Sequence, residues 1–167
     1  MRTLVGAIGY RYLRDHSVAF AVLERLAALD LGADVLLEDV SYNPIAVVQW
    51  LESLEPGTTF DRVILVSGIE RAGRVPGAVT IRTWDHVLPS NELIQEAIAE
   101  AVTGIISLDN TLVIAGYFRA LPALVTLVEI EPVDHAFGAE LSPAVAQAVE
   151  IATTTIRDLT FVREISR

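Results

Sequence analysis

A few residues in this sequence stand where side chains could do chemistry. Asp15 and His16 are adjacent at the end of AIGYRYLRDHSVAF, just ahead of a helical pattern. An imidazole beside a carboxylate can move protons near neutral pH or hold a divalent metal. The pair also suits a plainer role, with Asp15 capping a helix and His16 as its exposed neighbour. On the residues alone, capping is the expectation. Ser67-Gly68 ends an apolar run, but Leu65-Val66-Ser67-Gly68-Ile69 lacks the first glycine of a nucleophile elbow. His16, His86 and His135 show no H-E-x-x-H or other close ligand spacing. Gly6 and Gly9 read G-x-x-G, short of a dinucleotide fingerprint, although Glu38 and Asp39 stand where a ribose contact would be. Tyr10, Tyr12 and Tyr42 either line a pocket or cover a sheet edge.

The elements that must position these residues follow from the apolar periodicity. Arg2–Ile8 reads as a buried strand, and Val18, Ala21, Val22, Leu26 and Leu29 form the stripe of a helix over His16–Leu29. Asp34–Glu38 is a second strand. Pro44 opens a helix through Leu54, and Arg62–Val66 is a third strand. Ala78–Arg82 reads as a short strand, Asn91–Val102 as an amphipathic helix, and Leu124–Ile130 as a buried strand. Ser142-Pro143 begins a last helix. Periodicity leaves 104–114 open among helix, strand and loop. A helix over Asp109–Phe118 has Ser107 or Asp109 as its cap. This β-α-β-α-β order predicts a three-layer α/β/α domain over residues 1–167, with a mostly parallel sheet of about five strands. Ligands of such sheets bind beyond the carboxyl ends of the strands. The loops Gly9–Asp15, Asp39–Asn43 and Ser67–Arg71 leave those ends and are expected to meet in one cleft.

The bulk composition removes several classes of function. With no cysteine among 167 residues there is no disulfide, thiolate metal site or cysteine nucleophile. The net charge is −10, from 12 Lys+Arg against 22 Asp+Glu, and every cation is arginine. That balance lacks the electrostatic footprint of a nucleic-acid binder. No apolar stretch reaches the roughly 18–20 residues of a membrane helix. The start MRTLVGAIG is too short an apolar run for a secretory signal, so the sequence points to a cytoplasmic protein.

Taken in order, LVGAIGYRYLRDHSVAFAVLERL, FDRVILVSGIERAGRVPGAVTI and LVTLVEIEPVDHAFGAELSPAVAQAV resemble the hydrogenase maturation proteases over nearly the whole length. The ending is the most distinctive: an apolar strand, Glu-Pro, a glycine and L-S-P-x-V. The resemblance implies a cytoplasmic endopeptidase that clips a C-terminal peptide from the nickel-loaded large subunit of a [NiFe] hydrogenase. It also allows a non-proteolytic factor that binds such a subunit or another maturation protein. It carries residue roles with it. Tyr10 stands where the family has asparagine, Ser17 where it has glycine, and His16 where it has a carboxylate ligand. Ser67 stands at the second, aspartate ligand. The third, a histidine in the family, falls on Asn91 or Asp109. Asp109 is preferred because SLDNTLVIAGYFRALP reads like the helix that leads into the last strand. The metal corner implied by the resemblance is therefore His16 and Asp109, with Asp15 able to swing in, and Tyr10, Ser67 and Asn91 around the pocket. The loop that selects substrate would be Asp39, Ser41 and Tyr42. Loss of anionic ligands leads to the expectation of no tightly bound nickel or zinc, with nickel contributed by the substrate.

Overall fold

The computed structural model describes residues 1–162. In chain order the elements are β1 (Thr3–Ile8), a 3-10 turn (Arg14–Ser17), α1 (Val18–Ala27), β2 (Val35–Asp39), α2 (Pro44–Glu52), β3 (Arg62–Gly68), β4 (Val79–Thr83), α3 (Asn91–Val102), α4 (Leu108–Tyr117), β5 (Leu124–Ile130) and α5 (Pro143–Phe161). The strands form one sheet in the order β2-β1-β3-β5-β4. All neighbours are parallel except β4, which runs antiparallel to β5 at the edge.

β1 and β3 are buried along their whole length, as central strands covered on both faces must be. Their apolar runs supply both faces by alternation. Val5, Ala7, Ile64, Val66, Val128 and Ile130 face α1 and α5, meeting Val18, Val22, Val145 and Ile156. Leu4, Ile8, Val63, Leu65, Val125 and Leu127 face the other way, onto Val47 and Leu51 of α2 and Leu108 and Leu112 of α4. A smaller cluster of Val48, Ala97, Ala101, Ile114 and Ala115 fastens α3 to α2 and α4. The result is the α/β/α arrangement expected.

Two local expectations change. The helix expected from His16 begins only at Val18, because residues 14–17 are drawn into a 3-10 turn. Tyr12 (φ 65°) and Arg14 (φ 42°) lie in the left-handed region, which non-glycine residues seldom adopt outside turns held by their surroundings. The segment 104–114 resolves into a loop and then α4, whose cap is Ser107 rather than Asp109. The Ser107 hydroxyl accepts from the Asn110 N–H at 3.1 Å, and the Asn110 side chain accepts from the Ser107 N–H at 2.9 Å. That reciprocal box satisfies two donors at the helix start.

Candidate functional site at the strand ends

From β1 the chain runs to β2 on one side and then to β3 on the other, so strand order reverses between β1 and β3. That switch point is where open α/β sheets place their ligands. The 3-10 turn carrying Asp15 and His16 folds down over it. Two glycines make the approach possible. A Cβ at Gly9 would lie 2.3 Å from the His16 carbonyl oxygen, and one at Gly68 would lie 2.7 Å from the Asp15 carbonyl oxygen. No side chain fits at such separations. The Tyr10 N–H donates to the same His16 carbonyl at 2.9 Å, which locks the turn onto the end of β1.

Asp15 is fully buried. It does not cap α1. Its carboxylate accepts from the backbone N–H groups of Val133 (2.9 Å), Asp134 (2.8 Å) and Ser142 (2.7 Å), joining the β1 loop to the β5–α5 loop and to the start of α5. Ser142 and Pro143 do open that helix, but the Ser142 side chain makes no capping bond. Burial by itself would raise the Asp15 pKa. The bonds from Ser142, Asp134 and Val133 outweigh it and hold the carboxyl below its usual range. With both oxygens engaged, Asp15 is not free to swing toward a metal.

His16 is half-buried rather than exposed, and its Nε2 is buried without a hydrogen-bond partner among the described residues. Burial depresses its pKa, the neighbouring His135 adds to this, and Glu70 and Asp15 pull the other way. The His16 and His135 rings lie 5.2 Å apart, tilted by 55°. His135 Nδ1 is 3.5 Å from a Glu70 carboxylate oxygen. One ligand atom from each of His16, Glu70 and His135 lies within 4.8 Å of the other two.

The remaining expected site residues divide into those at this corner and those elsewhere. His16, Tyr10 and Ser67 line one cavity of about 220 Å³, closed by the segment 105–108. The Tyr10 hydroxyl accepts from the Ile106 N–H at 2.7 Å and so ties that segment to the β1 loop. The Ser67 hydroxyl is buried and donates to the Ile8 carbonyl at 2.9 Å, a structural bond and not a poised nucleophile. The Asp39–Asn43 loop abuts the corner through Ser41, whose hydroxyl accepts from Gly9 N–H (2.9 Å) and donates to the Ala7 carbonyl (3.1 Å). Asp39 accepts from Ser41 N–H at 2.9 Å and pairs with Arg11 at 3.2 Å. Tyr42 is partly buried against the core. Burial raises its phenol pKa, and Glu38 and Asp39 push the same way.

Asp109 and Asn91 are not at the corner. Both Asp109 oxygens are taken by a fork of Arg71, at 2.8 Å each. Asn91 opens α3 at an exposed position and lines no part of the cavity. The combination of His16, Asp109 and Asp15 as metal ligands is therefore not assembled, because two of its carboxylates are committed to other partners. His86, likewise, stacks on Trp84 and bonds to the Ala123 carbonyl.

Behind Asp109 lies a second buried carboxylate. Glu129 of β5 has no exposed surface and is surrounded by Arg71 (2.8 Å), Arg74 (2.7 Å) and Arg82 (3.1 Å). Its burial would raise the pKa, but the bonds from Arg71 and Arg74 and the charge of Arg71 and Arg82 bring it down to about 2. Arg71 also donates its backbone N–H to Glu131 at 2.9 Å. These contacts fix the loop on which Glu70 stands.

No protein-family profile and no curated protein matches this sequence. Solved structures do. A hydrogenase 2 maturation peptidase from a Thaumarchaeota archaeon superposes with a TM-score of 0.67 at 22% identity, covering 98% of this chain and 100% of that one. The hydrogenase maturating endopeptidase HybD from Escherichia coli gives 0.68 at 20% identity, over 93% of this chain and 90% of that one. The chain has the hydrogenase maturation protease fold. A third structure with this fold, the [NiFe] hydrogenase maturation protease HybD from Thermococcus kodakarensis, gives 0.66 at 18% identity, over 96% and 99%. Within the hydrogenase maturation protease fold as this chain builds it, Glu70, His135 and Glu129 take positions for which no motif or spacing in the sequence assigned them a role. Glu70 and His135 carry no local spacing signal. Each follows the end of a parallel strand, β3 or β5, and that topological position is the only sign of them in the sequence.

Proposed function

We propose that this protein is a hydrogenase maturation endopeptidase acting in the cytoplasm on the large subunit of a [NiFe] hydrogenase. Nickel reaches it in the substrate, and any ion the protein holds by itself is bound no more tightly than micromolar. The observation that carries the reading is the likeness of fold to hydrogenase maturation proteases across nearly the full length of both chains. The position of the cavity supports it. His16 and Tyr10 face a small concavity at the switch point, a place suited to read a metal-bearing chain terminus. The loop of Asp39, Ser41 and Tyr42 borders the same end of the sheet and is assigned to substrate selection. Beside it, a larger concavity of about 340 Å³ between Arg11, Tyr12, Phe20 and Leu141 offers room for an extended peptide.

The test pairs binding with cleavage. The purified protein is mixed with nickel-loaded and nickel-free forms of [NiFe] hydrogenase large-subunit precursors. Complex formation is followed by size-exclusion chromatography and loss of the C-terminal peptide by mass spectrometry. Removal of the peptide from the nickel-loaded form alone is expected. A stable complex without cleavage would replace the endopeptidase with an assembly factor, and neither complex nor cleavage with any precursor would sink the reading.

A further inference from the structure

We propose that His16, Glu70 and His135 form a divalent transition-metal site of this protein, suited to nickel or zinc. Two imidazoles and one carboxylate are the donors that borderline metals such as zinc and nickel take, with a further position left to water or an incoming group. The three donor atoms lie within 4.8 Å of one another. In a formed tetrahedral site with bonds of about 2.1 Å, donors stand roughly 3.4 Å apart, so closure needs movement of about an ångström. Glu70 and His135 can supply that movement, since both side chains are about two-thirds exposed.

The site has a fixed half and a movable half. His16 sits on the turn that Gly9 and Gly68 bring onto the strand ends, which fixes its backbone there. His135 follows Asp134, whose N–H is held by Asp15, the residue before His16. The two histidine backbones are thereby joined through one carboxylate. Glu70 precedes Arg71, which the carboxylates of Glu129, Asp109 and Glu131 hold in place. Asp15 and Arg71 act as positioning residues in this arrangement, and neither touches the ion.

This assignment rests on ligand geometry and does not need the endopeptidase reading, so each can fail alone. Nickel and zinc are titrated separately into the metal-free full-length protein by isothermal calorimetry, with Co(II) absorption as a second readout of imidazole ligation. One ion per chain is expected, at micromolar affinity, because the open donors must close on it. Glu70→Gln and His135→Ala change exposed side chains and leave the fold intact, and each should weaken binding at least tenfold. Asn91→Ala, at an exposed position on α3 that lines no part of the cavity, should change it less than threefold. Absence of binding up to millimolar metal overturns the proposal, as does binding that ignores both Glu70→Gln and His135→Ala. Loss with Asn91→Ala equal to that with His135→Ala would overturn it in favour of a different ligand set.

Discussion

Replacing Asp15 by asparagine separates a structural clamp from a metal ligand. Asp15 Oδ1 accepts from the Ser142 N–H at 2.7 Å, and Oδ2 accepts from Val133 and Asp134 at 2.9 and 2.8 Å. Asparagine has the same shape but only one oxygen. Its better orientation keeps the oxygen toward Val133 and Asp134, which leaves its amide NH2 facing the Ser142 N–H, donor against donor. A hydrogen bond to a charged group contributes about 1.5–3 kcal/mol and one between neutral groups about 1 kcal/mol. One charged bond is lost and two become neutral, so Asp15→Asn should cost roughly 3 kcal/mol or more. Urea denaturation followed by circular dichroism, compared at an unchanged slope, gives the difference directly. A loss below about 0.5 kcal/mol would refute the clamp, since that is the usual effect of an indifferent surface change. At urea-free conditions where the variant stays folded, its nickel affinity should also fall, because the same contact fixes the backbone beside His135. A stable variant that had lost only metal binding would instead make Asp15 a ligand.

The contacts of Glu129, Gly9, Gly32 and Tyr10 set further expected outcomes. Glu129 has a folded pKa of about 2 against an ordinary 4.5, so its stabilisation is present above pH 4.5 and is lost as pH falls toward 2. At about 1.4 kcal/mol per pKa unit this amounts to roughly 3 kcal/mol, and Glu129→Gln should remove it at pH 7 and flatten the acid limb of a stability–pH curve. An unchanged acid limb in Glu129→Gln would place the titration elsewhere. Gly9→Ala forces a Cβ to within 2.3 Å of the His16 carbonyl, and should cost about 2–3 kcal/mol, read as a lower thermal midpoint. Gly32→Ala meets no atom of the described residues, and its cost should come from its left-handed backbone (φ 85°), about 1 kcal/mol. Tyr10→Phe removes the acceptor of the Ile106 N–H and should cost about 1 kcal/mol while speeding amide exchange at Ile106.

The sequence by itself determined the layers of this protein. Continuous apolar runs such as Arg62–Val66 and Leu124–Ile130 can be buried on both faces only as central parallel strands, and the helical stripes between them supply the covering layers. It also determined where a site must lie, because the chain leaves β1, β3 and β5 at the same end of the sheet. The resemblance placed His16 at that end, and there it stands. Which side chains meet there was decided by the tertiary structure. Local reading makes Asp15 a helix cap, since nothing nearby in the chain competes for it. The folded protein offers it three N–H groups from the β5–α5 loop and α5, and those bonds win. Asp109 reads as a free acid until Arg71 is seen beside it, and Arg71 stands there because Glu129 draws it inward. Glu70 and His135 show no spacing in the chain because ligand spacing is a local signal. The strands that bring these two to His16 are neighbours only after β3 has paired with β1 and with β5.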